Sequence, residues 1–302
     1  GMINDVVVSI TPLALDHQLG LGVMHIIGAS LSIMAAGIPF DGPVGAAQIG
    51  YLDGEFIVNP TLEQLEKSEL NLLVAGKKGS INMIECEGKE FPDDLMKKAF
   101  DLGQKVIDEA CDWQLEFLKT LEIKTQEITF NKPSEETMQL VDQVLTPERL
   151  EAMAGNTKTP FNELYSQYEK EALALAAEKA ESEQASEYSD SKIKMGVFNA
   201  IKKFIRSRTI ETGKRIDDRG ELDIRPLYCE IDNLPRVHGS GLFWRGDTQV
   251  LSTVTLGGPT DYLVLDDMEH DDVQQKYFHH YNFPPFSTGE AKAMRGTGRR
   301  EI

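Results

Sequence analysis

The sequence predicts an α/β (α+β) fold with two strand-rich regions joined by an all-helical connector. Short segments rich in β-branched and aromatic residues, separated by turn residues, occur early in the chain and again near its end. Between them lies a stretch rich in Ala, Glu and Lys with helical periodicity. A length of 302 residues allows about two domains with a sizeable core. We divide the chain into residues 1–125, 126–212 and 213–302.

The first region opens with an expected strand over residues 6–10. Thr11-Pro12 closes it, because proline removes a backbone donor from the ladder. A helix is predicted next over residues 22–36, with Gly37 as a left-handed C-terminal cap. Its dense small and apolar residues indicate a buried helix packed on a sheet.

Four short strands and a long helix complete the first region. Asp53-Gly54 is the strongest hairpin signal in the chain. Asp93 is the predicted N-cap of an amphipathic helix that should lie along the sheet. The strands are predicted at residues 46–52, 55–58, 69–75 and 80–87. The helix carries apolar residues at three-and-four spacing: Leu95, Ala99, Leu102, Val106, Ala110, Trp113 and Phe117.

The connector is predicted to be helical, with prolines between its pieces and an apolar stripe that includes Phe198 and Ile201. For residues 182–191 a disordered charged linker remains the alternative. The chain is strongly acidic, with a formal net charge of −18, which opposes nucleic-acid binding. Residues 163–190 hold eight acids against two lysines, whereas residues 192–219 hold nine bases against three acids. Residues 192–219, called here the basic stripe, are therefore locally positive within an acidic protein.

The third region is predicted to be strand-rich, and it contains three candidate site segments. Arg295-Gly-Thr-Gly-Arg299-Arg300 suits a phosphate, because glycines allow close approach and guanidinium groups clamp oxygens. A solvated basic tail is the alternative. His238-Gly-Ser-Gly and Arg245-Gly-Asp-Thr fit a phosphate loop or a hairpin, and we favour the hairpin. The strands are predicted at residues 224–230, 241–244, 249–256 and 276–283.

Residues 279–286, His-His-Tyr-Asn-Phe-Pro-Pro-Phe, offer aromatic faces on which RNA bases can stack. A core strand leaving through a proline-stiffened turn is the interpretation that we favour for this segment.

Several classes of protein are disfavoured because their characteristic sequence motifs are missing. The sequence lacks a P-loop, a dinucleotide-binding GxGxxG after a strand, a GxSxG elbow and an HExxH motif. Cys86, Cys111 and Cys229 lack metal-ligand spacing and are expected to be buried or idle thiols in a reducing cytoplasm. No apolar run approaches the roughly 18 residues that a membrane span needs. We expect a soluble cytoplasmic protein without a membrane partner.

Taken in order, these segments resemble the polynucleotide phosphorylase family over nearly the whole chain. The first region resembles the later part of a ribonuclease PH-like domain, which has the ribosomal protein S5 domain 2-like fold. The third resembles the opening of a second such domain. The resemblance implies two partial ribonuclease PH-like units joined by a helical linker. The matching segments are residues 27–30, 36–47, 59–61, 73–76, 206–208, 215–217, 234–240, 245–249, 280–286 and 299–302.

The resemblance also implies an activity, phosphorolytic degradation of RNA from its 3′ end. Inorganic phosphate attacks the terminal phosphodiester, nucleoside diphosphates are released, and the reverse polymerisation is possible. Arg299 and Arg300 match the family's phosphate-site arginines, with Arg295, His238 and Arg245 as further RNA contacts. The family further implies mRNA turnover, Mg²⁺, a homotrimer and an RNA-decay assembly as partner.

Where the chain departs from the family, the expectation changes. The phosphate-binding serine run and the metal-binding aspartates are expected downstream of Ile302, so no metal ligand is expected in this chain. Residues 19–22, Leu-Gly-Leu-Gly, stand where a serine run would be, which implies a catalytically silent first domain. Glu85 and Glu87 are interpreted as surface acids.

We therefore expect the chain alone to be inactive, with two incomplete folds whose unpaired sheet edges favour self-association. A noncatalytic RNA-binding or scaffold subunit on the same fold is the alternative function. An α/β protein without any RNA role is the third.

Overall fold

The computed structural model describes residues 2–16, 18–128, 130–183, 188–293 and 298–301. The chain divides into two compact units. One joins Gly1–Ile3 to Thr129–Gly257 and is called here the bundle unit; the other joins Asn4–Ile128 to Gly258–Ile302 and is called the sheet unit. Each contains both helices and strands, so the predicted α+β class is confirmed. The boundaries predicted at residues 125 and 212 stay predictions.

The sheet unit is built on an antiparallel four-stranded sheet of order β2-β1-β3-β4. Two helices, α1 and α3, pack against it. In chain order its elements are α1 (Gly22–Ala35), β1 (Gly45–Leu52), β2 (Glu55–Val58), α2 (Leu62–Lys67), β3 (Leu70–Lys77), β4 (Ser80–Gly88) and α3 (Asp93–Leu118).

The core of the sheet unit lies between α3 and the strands β1 and β3. Alternate positions of β3 point inward, as the two-residue period of a strand requires, and the apolar face of α3 covers them. Gly103 of α3 lies so close to Val74 that an added Cβ would be 2.6 Å from Val74 Cγ2. The fully buried residues are Ala47, Ile49, Leu70, Leu72, Val74, Ala99, Ile107 and Cys111. The predicted amphipathic helix is thus confirmed.

The hairpin between β1 and β2 is also confirmed. Asp53 and Gly54 both have positive φ, 52° and 86°, as the type I′ turn requires. The short α2 was not predicted, although Thr61 and Gln64 form a complete capping box at its start.

The first expected strand is wrong. Residues 6–10 are not in a ladder, and Val7 is 90% exposed, because no described strand lies beside them to accept their hydrogen bonds. The helix predicted at 22–36 is present as α1, but only Ser30 in it is buried. Its contacts with β1 and α3 leave most of its apolar side chains half-buried. Pro92, not Asp93, is the N-cap residue of α3.

The bundle unit contains the predicted all-helical connector as α4 (Glu135–Val144), α5 (Pro147–Glu151), α6 (Lys158–Glu183) and α7 (Asp190–Thr212). The alternative for residues 182–191 was a disordered charged linker. At its two ends these residues are helical, because α6 runs to Glu183 and α7 starts at Asp190. Residues 184–187 lie outside the described residues. The helices share one apolar core: Leu140, Val141, Val144, Leu145, Met153, Tyr168, Ala172, Ala176, Ile193, Val197 and Ile201.

The bundle unit also carries an antiparallel sheet of order β5-β6-β7, with β5 (Leu227–Ile231), β6 (Gly239–Arg245) and β7 (Thr248–Val254). Most of its apolar side chains are exposed, including Leu227, Ile231, Phe243, Trp244 and Leu251.

Four short strands in the later part of the chain belong to the sheet unit. They form two antiparallel pairs, β8 (Leu263–Leu265) with β9 (Val273–Gln275) and β10 (His280–Phe283) with β11 (Gly298–Glu301). Of these four, only β10 was predicted as a strand in its place, inside the expected strand at 276–283.

All three cysteines are free thiols. Cys111 is buried, and Cys86 and Cys229 are exposed. Burial raises the pKa of the Cys111 thiol, and partial desolvation by its neighbours, together with the charge of Glu87, raises the pKa of the more exposed Cys86 thiol. No helix in the described part of the chain is both long and apolar enough to cross a membrane.

Candidate functional site

The Arg299-Arg300 pair lies in β11, whose partner strand β10 is the aromatic segment of the sequence. Arg299 pairs with Asn282 and Arg300 with Tyr281, in antiparallel register. Directly opposite residues have Cα atoms about 4.5–5.5 Å apart, so the ladder brings together two segments that are distant in the sequence. Arg295 lies outside the described residues. The role of all three arginines stays a prediction.

The aromatic segment leaves β10 through a proline-flanked 3₁₀ turn, Pro285–Thr288, as expected. The expected core position is wrong, because Tyr281 is 41% and Phe286 71% exposed. A two-stranded ladder has no second layer to cover these rings. The Tyr281 and Phe283 rings lie 5.5 Å apart, so apolar ring surface is available to a stacking base.

His238 and Arg245 stand at the two ends of β6. The seven residues of this strand separate them by about 20 Å, so they do not contact one phosphate together. The Arg245-Gly-Asp-Thr segment is the turn of the β6–β7 hairpin, with Gly246 at φ 60°. The favoured hairpin interpretation is confirmed here.

The His238 imidazole is held in place by the segment that follows β7. Its Nδ1 accepts a hydrogen bond from the Leu256 backbone N–H at 2.8 Å. A nitrogen that accepts carries no proton, so Nε2 carries it and remains a donor. The side chain is exposed, which leaves that donor available to a phosphate oxygen.

Part of the predicted basic stripe is neutralised inside the bundle unit. Arg208 is 12% exposed and donates to Asp218 at 2.7 Å and Glu151 at 3.3 Å. The hydrogen bond to Asp218 raises the pKa of the Arg208 guanidinium. Arg219 donates to Asp217 at 2.8 Å. Burial would raise the pKa of Asp217, but the hydrogen bond and charge of Arg219 hold it below its ordinary value.

Arg208 and Arg219 are therefore structural. The sequence contains a pattern that indicates this role for Arg219. Arginines and aspartates alternate within five residues in Arg215-Ile-Asp-Asp-Arg219, which indicates local ion pairs. The net charge of residues 192–219 does not show that these oppositely charged residues are neighbours.

Four other cations of the stripe lie on α7 and point to solvent. Lys194, Lys202, Lys203 and Arg206 are exposed, and none has a carboxylate within ion-pair distance in the ranges that the structure describes. Phe198 lies among them and is 51% exposed, so its expected place in an apolar packing stripe is wrong. Lys202 Nζ lies 5.7 Å from the centre of its ring.

Two further predicted features have clear positions. Glu85 and Glu87 are exposed on β4, as expected of surface acids. At the segment Leu-Gly-Leu-Gly before α1, Glu269 Oε1 accepts a hydrogen bond from Leu21 N at 2.6 Å. An amide at the helix N-terminus, where anions bind, is therefore occupied by a carboxylate of the same chain.

Within the described residues, no three His, Cys, Asp or Glu side chains form a group suited to a metal ion.

Comparison with known protein families gives two matches. Residues 42–106 match the model of the 3′ exoribonuclease family, domain 2, and residues 223–302 match that of the same family, domain 1. Domain 2 comes before domain 1, which is the order expected where one copy of the pair ends and the next begins. The second match includes His238, Arg245, Arg299 and Arg300.

Curated relatives align over the whole chain. A polyribonucleotide nucleotidyltransferase of Bacillus velezensis is 36% identical over 302 residues, which are 100% of this chain and 42% of the relative. That of Gloeobacter violaceus is 38% identical over 319 residues, covering 100% of this chain and 43% of the relative. That of Bacillus subtilis is 36% identical, covering 100% and 42%. The chain thus spans less than half the length of these relatives.

The two family matches lie one on each side of the helical connector, and the alignments with the relatives run through all three regions. The two regions on either side of the connector therefore belong to the 3′ exoribonuclease family, residues 42–106 to its domain 2 and residues 223–302 to its domain 1.

Proposed function

We propose that this protein degrades RNA from its 3′ end by phosphorolysis, releases nucleoside diphosphates and also catalyses the reverse polymerisation. The observation that carries the proposal is the domain 1 match over residues 223–302, within a chain similar throughout to polyribonucleotide nucleotidyltransferases. Degradation of mRNA in the cytoplasm is the proposed cellular role.

The chemistry requires two anions to meet. An oxygen of inorganic phosphate attacks the terminal phosphorus, the bond from phosphorus to the preceding 3′ oxygen breaks, and that oxygen takes a proton. The products are a nucleoside diphosphate and an RNA shorter by one nucleotide. Fixed cations must offset the repulsion and stabilise charge on the transferring phosphoryl group. We assign this role to Arg299 and Arg300, with Arg295, His238 and Arg245 as contacts to the RNA.

Magnesium, a homotrimer and an RNA-decay assembly complete the proposal. Mg²⁺ when bound would add positive charge at the reacting phosphates. The described residues of this chain offer no group of carboxylates to hold it, so its ligands would be other residues.

The test measures nucleoside diphosphate release from polyadenylate with and without inorganic phosphate, using the protein as its gene encodes it. Replacing Arg299 or Arg300 by Ala should lower the rate about 100-fold, the size of effect seen when one group that stabilises developing negative charge is lost. Lys276→Ala, which removes an exposed cation near β10, is the control and should leave the rate unchanged. Unchanged rates in both arginine variants would remove the site assignment, and no phosphate-dependent product would remove the proposed reaction.

A noncatalytic RNA-binding or scaffold subunit is the second candidate. The exposed rings of β10 favour it, because Tyr281 is 41% exposed and aromatic surface can stack an RNA base without any reaction. This candidate predicts salt-sensitive RNA binding without any nucleoside diphosphate in the same assay.

A further inference from the structure

We propose that the outer face of α7 is a sequence-independent binding surface for single-stranded RNA. It consists of Lys194, Phe198, Lys202, Lys203 and Arg206 and is called here the α7 row. The choice of RNA as the ligand rests on the proposed function; the existence of a polyanion-binding surface rests on the structure of the helix alone.

Helix geometry places four of these side chains in one row along α7, and Lys203, three residues before Arg206, lies next to the end of that row. Lys194, Phe198, Lys202 and Arg206 follow each other at intervals of four residues, and side chains so spaced are neighbours on a helix. At about 1.5 Å per residue the row is about 18 Å long. The buried Ile193, Gly196, Val197 and Ile201 of α7 face the bundle core, whereas the side chains of the row are exposed.

The charges of the row are not neutralised by carboxylates within the described part of the chain, although Lys202 lies over the Phe198 ring. Arg208, on the same helix, donates to two carboxylates, whereas the four cations of the row have no such partner there. The acids of α7, Asp190 and Glu211, stand at its two ends. Lys202 and Arg206 are like charges four residues apart, an arrangement that weakens a helix slightly. A surface that is unfavourable for the helix alone and accumulates positive charge in an acidic protein suits a polyanionic ligand.

Phe198 makes single-stranded RNA a better ligand than an acidic protein surface or an RNA duplex. Its ring is half exposed and flanked along the row by Lys194 and Lys202. Cations that follow a phosphate backbone, together with an aromatic ring that accepts an unpaired base, are the combination that binds single strands without sequence preference. Bases in a duplex are already stacked and cannot use the ring.

Binding of a fluorescein-labelled oligoadenylate, followed by anisotropy in the absence of inorganic phosphate, tests the proposal. The double variant Lys202→Glu/Lys203→Glu reverses two charges of the row. The matched control Lys97→Glu/Lys98→Glu reverses two adjacent exposed lysines on α3 and changes the net charge equally. We expect Kd to rise at least about tenfold in the first variant, with a salt slope smaller by roughly 1.4, since each lost phosphate contact removes about 0.7. The control should change Kd less than about twofold.

Phe198 is tested separately. Phe198→Ala should raise Kd about fivefold with an unchanged salt slope, and Phe198→Tyr, which keeps the ring, should bind as the original protein does. Far-UV circular dichroism checks that each variant keeps its helices. Equal weakening by the two lysine pairs would show a general field effect and overturn the proposal. So would an unaltered Kd in the row variant, or a Phe198→Ala variant that binds normally.

The experiments distinguish failure of the proposed phosphorolysis from failure of the α7 row as an RNA-binding surface. Phosphorolysis is measured by nucleoside diphosphate release on the same preparations. If no diphosphate appears but the row variant loses RNA binding selectively, the α7 row is supported and the reaction is not. If diphosphate is released but the two lysine pairs behave alike, the reaction is supported and the row is not.

Discussion

At the scale of single residues, two arginines of α7 have opposite roles although they stand two positions apart. Arg208 bridges Glu151, Asp218 and the carbonyl oxygen of Arg215, and so ties α5 and the segment after α7 to the helix. Arg206 is exposed and belongs to the α7 row. Residue type alone therefore does not separate a structural from a ligand-binding arginine.

Replacing Arg208 by Ala should destabilise the protein by about 1–3 kcal/mol. Hydrogen bonds to charged groups contribute roughly this much, and the partial exposure of both carboxylates keeps the value from being larger. Arg206→Ala is the control and should change the free energy of unfolding by less than about 0.5 kcal/mol. The measurement is the urea midpoint from far-UV circular dichroism. Equal effects of the two substitutions would contradict the structural role of Arg208.

At the scale of elements, the packing of α3 on the sheet depends on Gly103. Gly103→Ala gains up to about 1 kcal/mol in helix propensity but places a Cβ 2.6 Å from Val74 Cγ2, and overpacking costs about 1–3 kcal/mol. We expect a net destabilisation of about 1–2 kcal/mol, visible as a lower Tm.

The control for Gly103 is Gly28→Ala in α1. There the added Cβ would meet Ile10 Cδ1 at 3.9 Å, an ordinary contact, so the helix propensity of Ala should raise stability slightly. A Gly103→Ala variant that is as stable as Gly28→Ala would show that α3 can move away from Val74 without loss.

Elements defined by local patterns were predictable. The β1–β2 hairpin follows from Asp53-Gly54, and α3 follows from three-and-four spacing of apolar residues. Residues 6–10 have the same β-branched composition but form no strand, because a strand requires a partner that composition does not reveal. The pairing of β10 with β11 could not be predicted either. It joins residues about 20 positions apart, and the segment between them has no periodic pattern that indicates a hairpin.

The candidate site was predictable only in part. The family motifs gave the arginine pair, but its neighbour across the ladder, Tyr281, came from the structure. Within α7 the sequence did not separate the α7 row from Arg208, because Arg206 and Arg208 are the same residue type and differ in what the fold places beside them.

At the scale of the whole molecule, the β5-β6-β7 sheet leaves an unusual amount of apolar side chain in solvent. On one face Ile231 is 78% exposed, and Phe243 and Val250, which pair across β6 and β7, are exposed with it; Trp244 and Leu251 are exposed on the other face. Exposed apolar surface on a sheet favours association, and edge strands accept further strands.

We expect the isolated 302-residue chain to self-associate. Size-exclusion chromatography with light scattering should give a mass above that of one chain that increases with concentration. Ile231→Lys, which adds a charge to the sheet, should move the distribution toward the monomer. A compact, stable monomer at all concentrations would contradict this expectation.

The distribution of thiols has a practical consequence at this scale. Cys86 lies in β4 of the sheet unit and Cys229 in β5 of the bundle unit, both within reach of a maleimide dye, while Cys111 is sealed in the sheet core. Random labelling with a donor and an acceptor fluorophore therefore produces molecules with one dye per unit, without any engineered cysteine. Energy transfer between the dyes then reports directly on whether a bound oligonucleotide draws the two halves of the molecule together.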